Sequence, residues 1–165
     1  MRVYLPATTS ILRRLVDRGE IGPAPLTAFA VTPGLREWYV DDDAEELEYA
    51  ATLEASRASL RLLAVDPSAD RRRVVVAADV DDEWVTLRDD LDRGVVRIAE
   101  PVSLGQVASA HVDDRSAETA VHAAADAIDA ADLGDAAAQD RVDDAEGFEL
   151  GWYAAQELVA LVELF

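Results

Sequence analysis

Lysine, asparagine and cysteine are all missing from this chain of 165 residues. Without cysteine there is no disulfide framework, no thiolate nucleophile and no cysteine-bound zinc or iron–sulfur site. Lysine and asparagine codons both begin with two A/T letters, so their joint absence points to a GC-rich genome. The 31 alanines and 21 aspartates agree with that bias. Histidine occurs only twice, which leaves no paired-histidine zinc motif. A nucleophile elbow and a glycine-rich phosphate loop are also lacking. No stretch approaches the roughly 20 apolar residues of a membrane span, and residues 1–10 lack the apolar core of a signal peptide. The cytosol is expected by elimination.

What is present is acid. Asp and Glu total 34 against 15 arginines, for a net charge of −19. Mutational bias had already removed half of the usual positive vocabulary, so this charge has three readings. It is codon bias with ordinary solubility, an adaptation to high salt, or the mark of a basic partner. Under each of them the surface repels nucleic acid phosphates and anionic lipid heads. The chain is nevertheless 50% apolar, and at this length about 70% of the unfolded surface can be buried. One globular domain over residues 1–165 is the expectation.

Periodicity supplies the elements. Residues 2–5 read as a strand, and Thr8 or Thr9 caps a helix carrying Ile11, Leu12, Leu15 and Val16, stopped at Gly19. Gly22-Pro23-Ala24-Pro25 is a rigid connector, and Leu26 to Val31 a second strand. Thr32-Pro33 starts a short helix through Trp38-Tyr39. Asp41-Asp42-Asp43 complements the dipole of the longest helix, roughly 44–65. Its stripes are Tyr49, Leu53, Leu60, Leu63 and Leu47, Ala51, Ala58, Leu62, Val65. Val74 to Ala78 is apolar on both faces and belongs at the centre of a covered sheet. Val95 to Ala99 and Ala108 to Val112 are further strands, with a turn or short helix over 103–107. Helices follow from Ser116 and over 135–146, then a strand over 148–153 and a C-terminal helix. The fold class is α/β, with α+β as the alternative: a single mixed sheet with helices packed on it.

Four groups of residues invite a functional reading. Arg71, Arg72 and Arg73 form the sole dense basic run, either a strand entry neutralised by nearby acids or an anion contact. Thr8 and Thr9 stand where a strand turns into a helix, a place where anions bind. Trp38-Tyr39 and Trp152-Tyr153 are core aromatics or, if they converge at the surface, a partner patch. His111, Asp113 and Asp114 lie at a strand end, with Ser109, His111 and Asp113 on a half-exposed polar face. They are weak candidates for metal ligands or an acid–base pair. His122 sits opposite the apolar stripe of its helix, beside Glu118 and Asp126. Asp79-Val80-Asp81-Asp82 lacks the spaced ligands of a calcium loop.

The stretches Leu26-Thr27-Ala28-Phe29-Ala30-Val31-Thr32-Pro33-Gly34-Leu35-Arg36-Glu37-Trp38-Tyr39, His111-Val112-Asp113-Asp114 and Trp152-Tyr153-Ala154-Ala155-Gln156-Glu157 together resemble a family of small actinobacterial proteins. That family is classed only as a domain of unknown function. The resemblance spans the whole chain, weakens the salt-adaptation reading, and implies no activity or cofactor.

The residues therefore point to a non-enzymatic interaction or regulatory domain without a cofactor. Its protein partner would present a basic contact face, and it would bind neither nucleic acid nor membrane. The oligomeric state stays open. The alternative is a small enzyme or anion-binding protein using arginine and carboxylate groups, with Mg or Mn near His111.

Overall fold

Seven strands form one sheet in the order β5-β6-β3-β1-β4-β8-β9, described here by a computed structural model covering residues 1–40 and 43–165. The strands are β1 (Arg2–Ala7), β3 (Leu26–Phe29), β4 (Val74–Asp79), β5 (Val85–Leu87), β6 (Val95–Ile98), β8 (Val107–Val112) and β9 (Gly151–Ala154). Two short strands, β2 (Glu20–Ile21) and β7 (Val102–Ser103), pair separately. The helices are α1 (Thr9–Arg18), α2 (Pro33–Trp38), α3 (Ala44–Val65), α4 (Glu118–Asp132), α5 (Ala136–Glu146) and α6 (Leu158–Val162). Helices on a sheet, the expected α/β arrangement, are found. Every registered strand pair is antiparallel, so the sheet is not mixed in direction.

The sheet is covered on both faces. Val3, Leu5, Val74, Val76 and Ile98 meet Leu12 and Leu15 of α1 and Leu158 and Leu161 of α6. On the other face Tyr4, Phe29, Val75 and Ala77 meet Leu35 of α2 and Leu47, Ala51 and Ala55 of α3. Alternation along β4 sends Val74, Val76 and Ala78 one way and Val75 and Ala77 the other, and all five are buried. This is why an unbroken apolar run lies between β1 and β8. Antiparallel strands also read as continuous apolar runs when helices cover both sides.

β3 and β4 both pair antiparallel with β1, so they run parallel to each other, and α3 crosses the face of β1 to join them. Beyond the sheet, Leu60 and Leu63 of α3 pack on α4 and α5 through Val121, Ala124, Ile128, Ala138 and Val142. Small side chains let these helices approach closely. The turn between α4 and α5 passes through Gly134 at φ 95°, a left-handed conformation that costs glycine little.

Local signals for the helix ends hold. Thr8 accepts from the Ile11 N–H at 3.2 Å, Thr32 from the Leu35 N–H at 3.1 Å, and Asp43 from the Glu45 N–H at 3.0 Å. Asp41 and Asp42, read from sequence as part of the same cap, lie outside the described residues. The stripe expected on α3 needs correction. Tyr49 and Val65 are exposed, while Ser56 and Ser59 are buried. Ser59 donates to the Ala7 carbonyl at 2.7 Å and accepts from the Val74 N–H at 3.2 Å, closing the ends of β1 and β4 onto α3. No helix of the described residues is long and apolar enough to cross a membrane.

Candidate functional site

Cross-strand register builds the site from the sheet outward. Val75 of β4 lies opposite His111 of β8, and His111 opposite Trp152 of β9, so the three share the α3 face. β9 ends the strand order and has no neighbour on its outer side among the described residues. Above this corner α3 passes on one side and the segment from Glu146 to Leu150 on the other. Between them is a cleft of about 260 Å³, walled by Tyr49 and Leu53, Glu146, Phe148 and Glu149, with His111 and Arg73 beneath. Tyr49 is 56% exposed and Trp152 61%, and Phe148 is also open to solvent.

The floor is held by a buried ion pair. Arg73 Nε and Nη2 donate to the two oxygens of Asp113 at 2.8 and 2.9 Å. The Arg73 N–H adds a bond of 2.7 Å, and Nη2 also reaches the Phe148 carbonyl at 2.8 Å. Asp113 is 0% exposed and Arg73 2%. Four hydrogen bonds thus lock β4, β8 and the approach to β9 together, so that charge is spent inside the fold. The half-exposed polar face expected on β8 is corrected accordingly: Ser109 and Asp113 are buried and His111 alone is partly open. Nothing local signals this, because the partners stand 40 positions apart.

Two titratable groups facing the cleft are perturbed. Burial pushes the His111 imidazole below its ordinary value, and the positive charge of Arg2 adds to the effect. Its ring makes no hydrogen bond among the described residues. Burial raises the Glu146 carboxyl, as does Asp143, against the opposing pull of Arg57 and Arg73. An imidazole that protonates less readily than usual and a carboxylate that protonates more readily than usual therefore face one cleft.

The other residues singled out in the sequence fall elsewhere. Arg71 donates to the Leu63 and Ala69 carbonyls, each at 3.0 Å, and to that of Asp66, closing the end of α3. Arg72 donates to the Asp113 carbonyl at 2.9 Å and lies 5.0 Å from the ring centre of Phe165. The three adjacent arginines thus turn to three different internal places. Thr8 caps α1, and Thr9 donates to Asp70 at 2.9 Å, so a carboxylate of the chain itself already occupies that turn. Asp114 accepts from the Ser116 N–H at 2.8 Å. Among the described residues no group of three or more acids and histidines is placed to hold a metal ion.

The aromatic pairs do not converge. Trp38 and Tyr39 end the helix that follows β3, whereas Trp152 and Tyr153 lie on β9, with β1, β4 and β8 between. Trp38 is stacked under Arg93 at 3.6 Å, and Tyr153 packs into the core on the α1 face. His122 is exposed and lies 3.5 Å from Asp126. Sequence reasoning missed Tyr49, Phe148 and Glu146 as cleft residues. The exposure of Tyr49 is visible only once the helix is docked.

Fold and cleft define a small α/β protein whose antiparallel sheet ends in an open, aromatic-flanked edge. The chain belongs to a family of unknown function (DUF6912), whose model matches residues 1–162. No curated protein and no solved structure matches it.

Proposed function

We propose that this protein is a non-enzymatic interaction domain that takes an extended, basic segment of a partner protein along the outer side of β9. The observation that carries this reading is the corner where β9, which bears exposed Trp152 and has no outer neighbour among the described residues, adjoins the cleft lined by Tyr49, Glu146 and Glu149. An unpaired edge offers main-chain donors and acceptors to an added strand, and the cleft then receives alternate side chains. Aromatic faces and carboxylates suit a guanidinium or ammonium group. The net charge of −19 favours such a partner and speeds the encounter at low salt.

The test uses a fluorescein-labelled ten-residue peptide alternating arginine and valine, and a twin N-methylated at alternate residues. Both carry the same charge, but the twin cannot add as a strand. Saturable binding of the first, weakened at least about tenfold in the twin and in Trp152→Ala, is the expected result. Equal binding of the two peptides would reduce the interaction to bulk charge and overturn the proposal.

A second reading, a small enzyme or ligand-binding protein with Mg or Mn near His111, is favoured by one observation. The imidazole faces the cleft without a hydrogen-bond partner among the described residues. Substoichiometric Mn²⁺ that selectively broadens the His111 ring resonances would support it, and unaffected resonances would remove it.

A further inference from the structure

A larger hollow lies elsewhere, where β1 and β3 part. Six residues of β1 register with β4, but β1 registers with β3 only at Tyr4 and Phe29. Pro6 has no N–H to donate, so the ladder cannot continue through it. The two strands splay, and a cleft of about 530 Å³ opens between Leu5 and Leu26. Ile11 of α1 and Leu62 of α3 reach it from opposite layers, giving it apolar walls. The Gly22-Pro23-Ala24-Pro25 connector frames its mouth, and the β2–β7 pair braces that connector. The volume lies in the range of preformed small-molecule sites.

Arg14 and Arg18 stand one helical turn apart on α1, and both line this cleft. Neither makes an ion pair or hydrogen bond among the described residues. Arg2, Arg57, Arg61, Arg73 and Arg88 each hold an aspartate, so the pair in this cleft keeps a charge that those five have neutralised. With 34 acids to 15 arginines, two adjacent unneutralised guanidinium groups are not a matter of shortage. Glu20 also lines the mouth but pairs with neither of them. The negative end of α1 offsets part of one charge, and the second remains. Planar guanidinium groups match carboxylate oxygens two by two.

We propose that this breach binds an amphipathic carboxylate, a single acid group on a linear apolar chain. The chain lies against Leu5, Leu26 and Leu62, and the acid group is held by Arg14 and Arg18. The site is separate from the β9 corner and does not depend on it.

Calorimetry of the full chain with decanoate, kept below its micelle concentration, tests this against decanol and decyltrimethylammonium. Expected are saturable one-to-one binding of decanoate, weaker binding of decanol and none of the cation. Arg14→Gln/Arg18→Gln should weaken decanoate at least about tenfold, the size expected from losing hydrogen bonds to a charged group. Leu62→Glu, which sets an acid against the chain from α3, should also weaken it while circular dichroism shows an unchanged fold. No saturation with decanoate, equal affinity for decanol, or an unchanged affinity in the double arginine variant would overturn the proposal.

Discussion

Arg73 and Asp113 meet as a two-pronged ion pair at 2.8 and 2.9 Å, both side chains withdrawn from solvent. Each closes the other's charge, and Asp113 in addition holds the Arg73 N–H. Removing one partner strands the other in a dry interior, which costs about 3–5 kcal/mol. Asp113→Ala should lower the unfolding free energy measured in urea by that amount. The double variant Arg73→Met/Asp113→Leu should recover part of it, because well-packed apolar groups substitute for a buried pair. Recovery is incomplete because the Phe148 carbonyl and the Arg73 N–H lose their partners. A single variant as stable as wild type would contradict the burial described here.

Val75→Asp puts a carboxylate between β4 and the α3 face, at a side chain that is 0% exposed. An unpaired buried charge belongs to the small set of changes costing more than about 4 kcal/mol. Circular dichroism should find the variant unfolded, and a melting temperature near wild type would contradict the placement of β4.

What was legible in the sequence follows the range of the forces involved. Thr32-Pro33, Asp43 and Asp66-Pro67 act within one turn of chain, so α2 and α3 could be delimited from the residues alone. Val74 to Ala78 announced a strand covered on both sides because each of its residues is apolar. β2, β5 and β7 have two or three residues each, too few to show a period, and they exist because a partner strand pairs with them. The α3 stripes fail at Tyr49 and Val65, and buried Ser59 belongs to neither, because tertiary bonds decide which side of a helix with many alanines is buried. The arginine run reads as a neutralised strand entry or an anion contact, yet successive residues 71 to 73 reach different internal partners. Arg73 on Asp113 is a contact across 40 positions, and no spacing rule reveals it.

His111 supplies a pH test. Its folded pKa lies below the ordinary 6.5, chiefly through burial and secondarily through Arg2. The unfolded chain therefore binds the proton more readily than the native one. Its contribution to stability is full above about pH 6.5 and is lost as pH falls through the depressed value. Arg73, whose charge Asp113 closes, lies in the same cleft, as do the carboxylates of Glu146 and Glu149. Urea unfolding at pH 7.5 and pH 5 should show wild type losing more stability than His111→Gln over that interval. Parallel losses in the two proteins would mean that the imidazole titrates as it does in the unfolded chain.

Nucleic acid should not bind. Affinity for a polyanion comes from cations free to displace condensed counterions, and here most arginines are already committed. Arg71 turns to the carbonyls ending α3, Arg72 to the Asp113 carbonyl and Arg73 to the Asp113 carboxylate. Around them stands a net charge of −19, and screening over about 8 Å at 0.15 M salt leaves a broad surface field in place. A 20-nucleotide RNA should therefore show no electrophoretic shift at that salt concentration. Arg71→Ala and Arg73→Ala are poor probes, since both remove bonds that hold the fold. Arg14→Gln/Arg18→Gln is the cleaner one, because these two side chains have no hydrogen-bond or ion-pair partner among the described residues to lose. An RNA shift in wild type that this double variant abolishes would show that two free guanidinium groups outweigh the acidic surface.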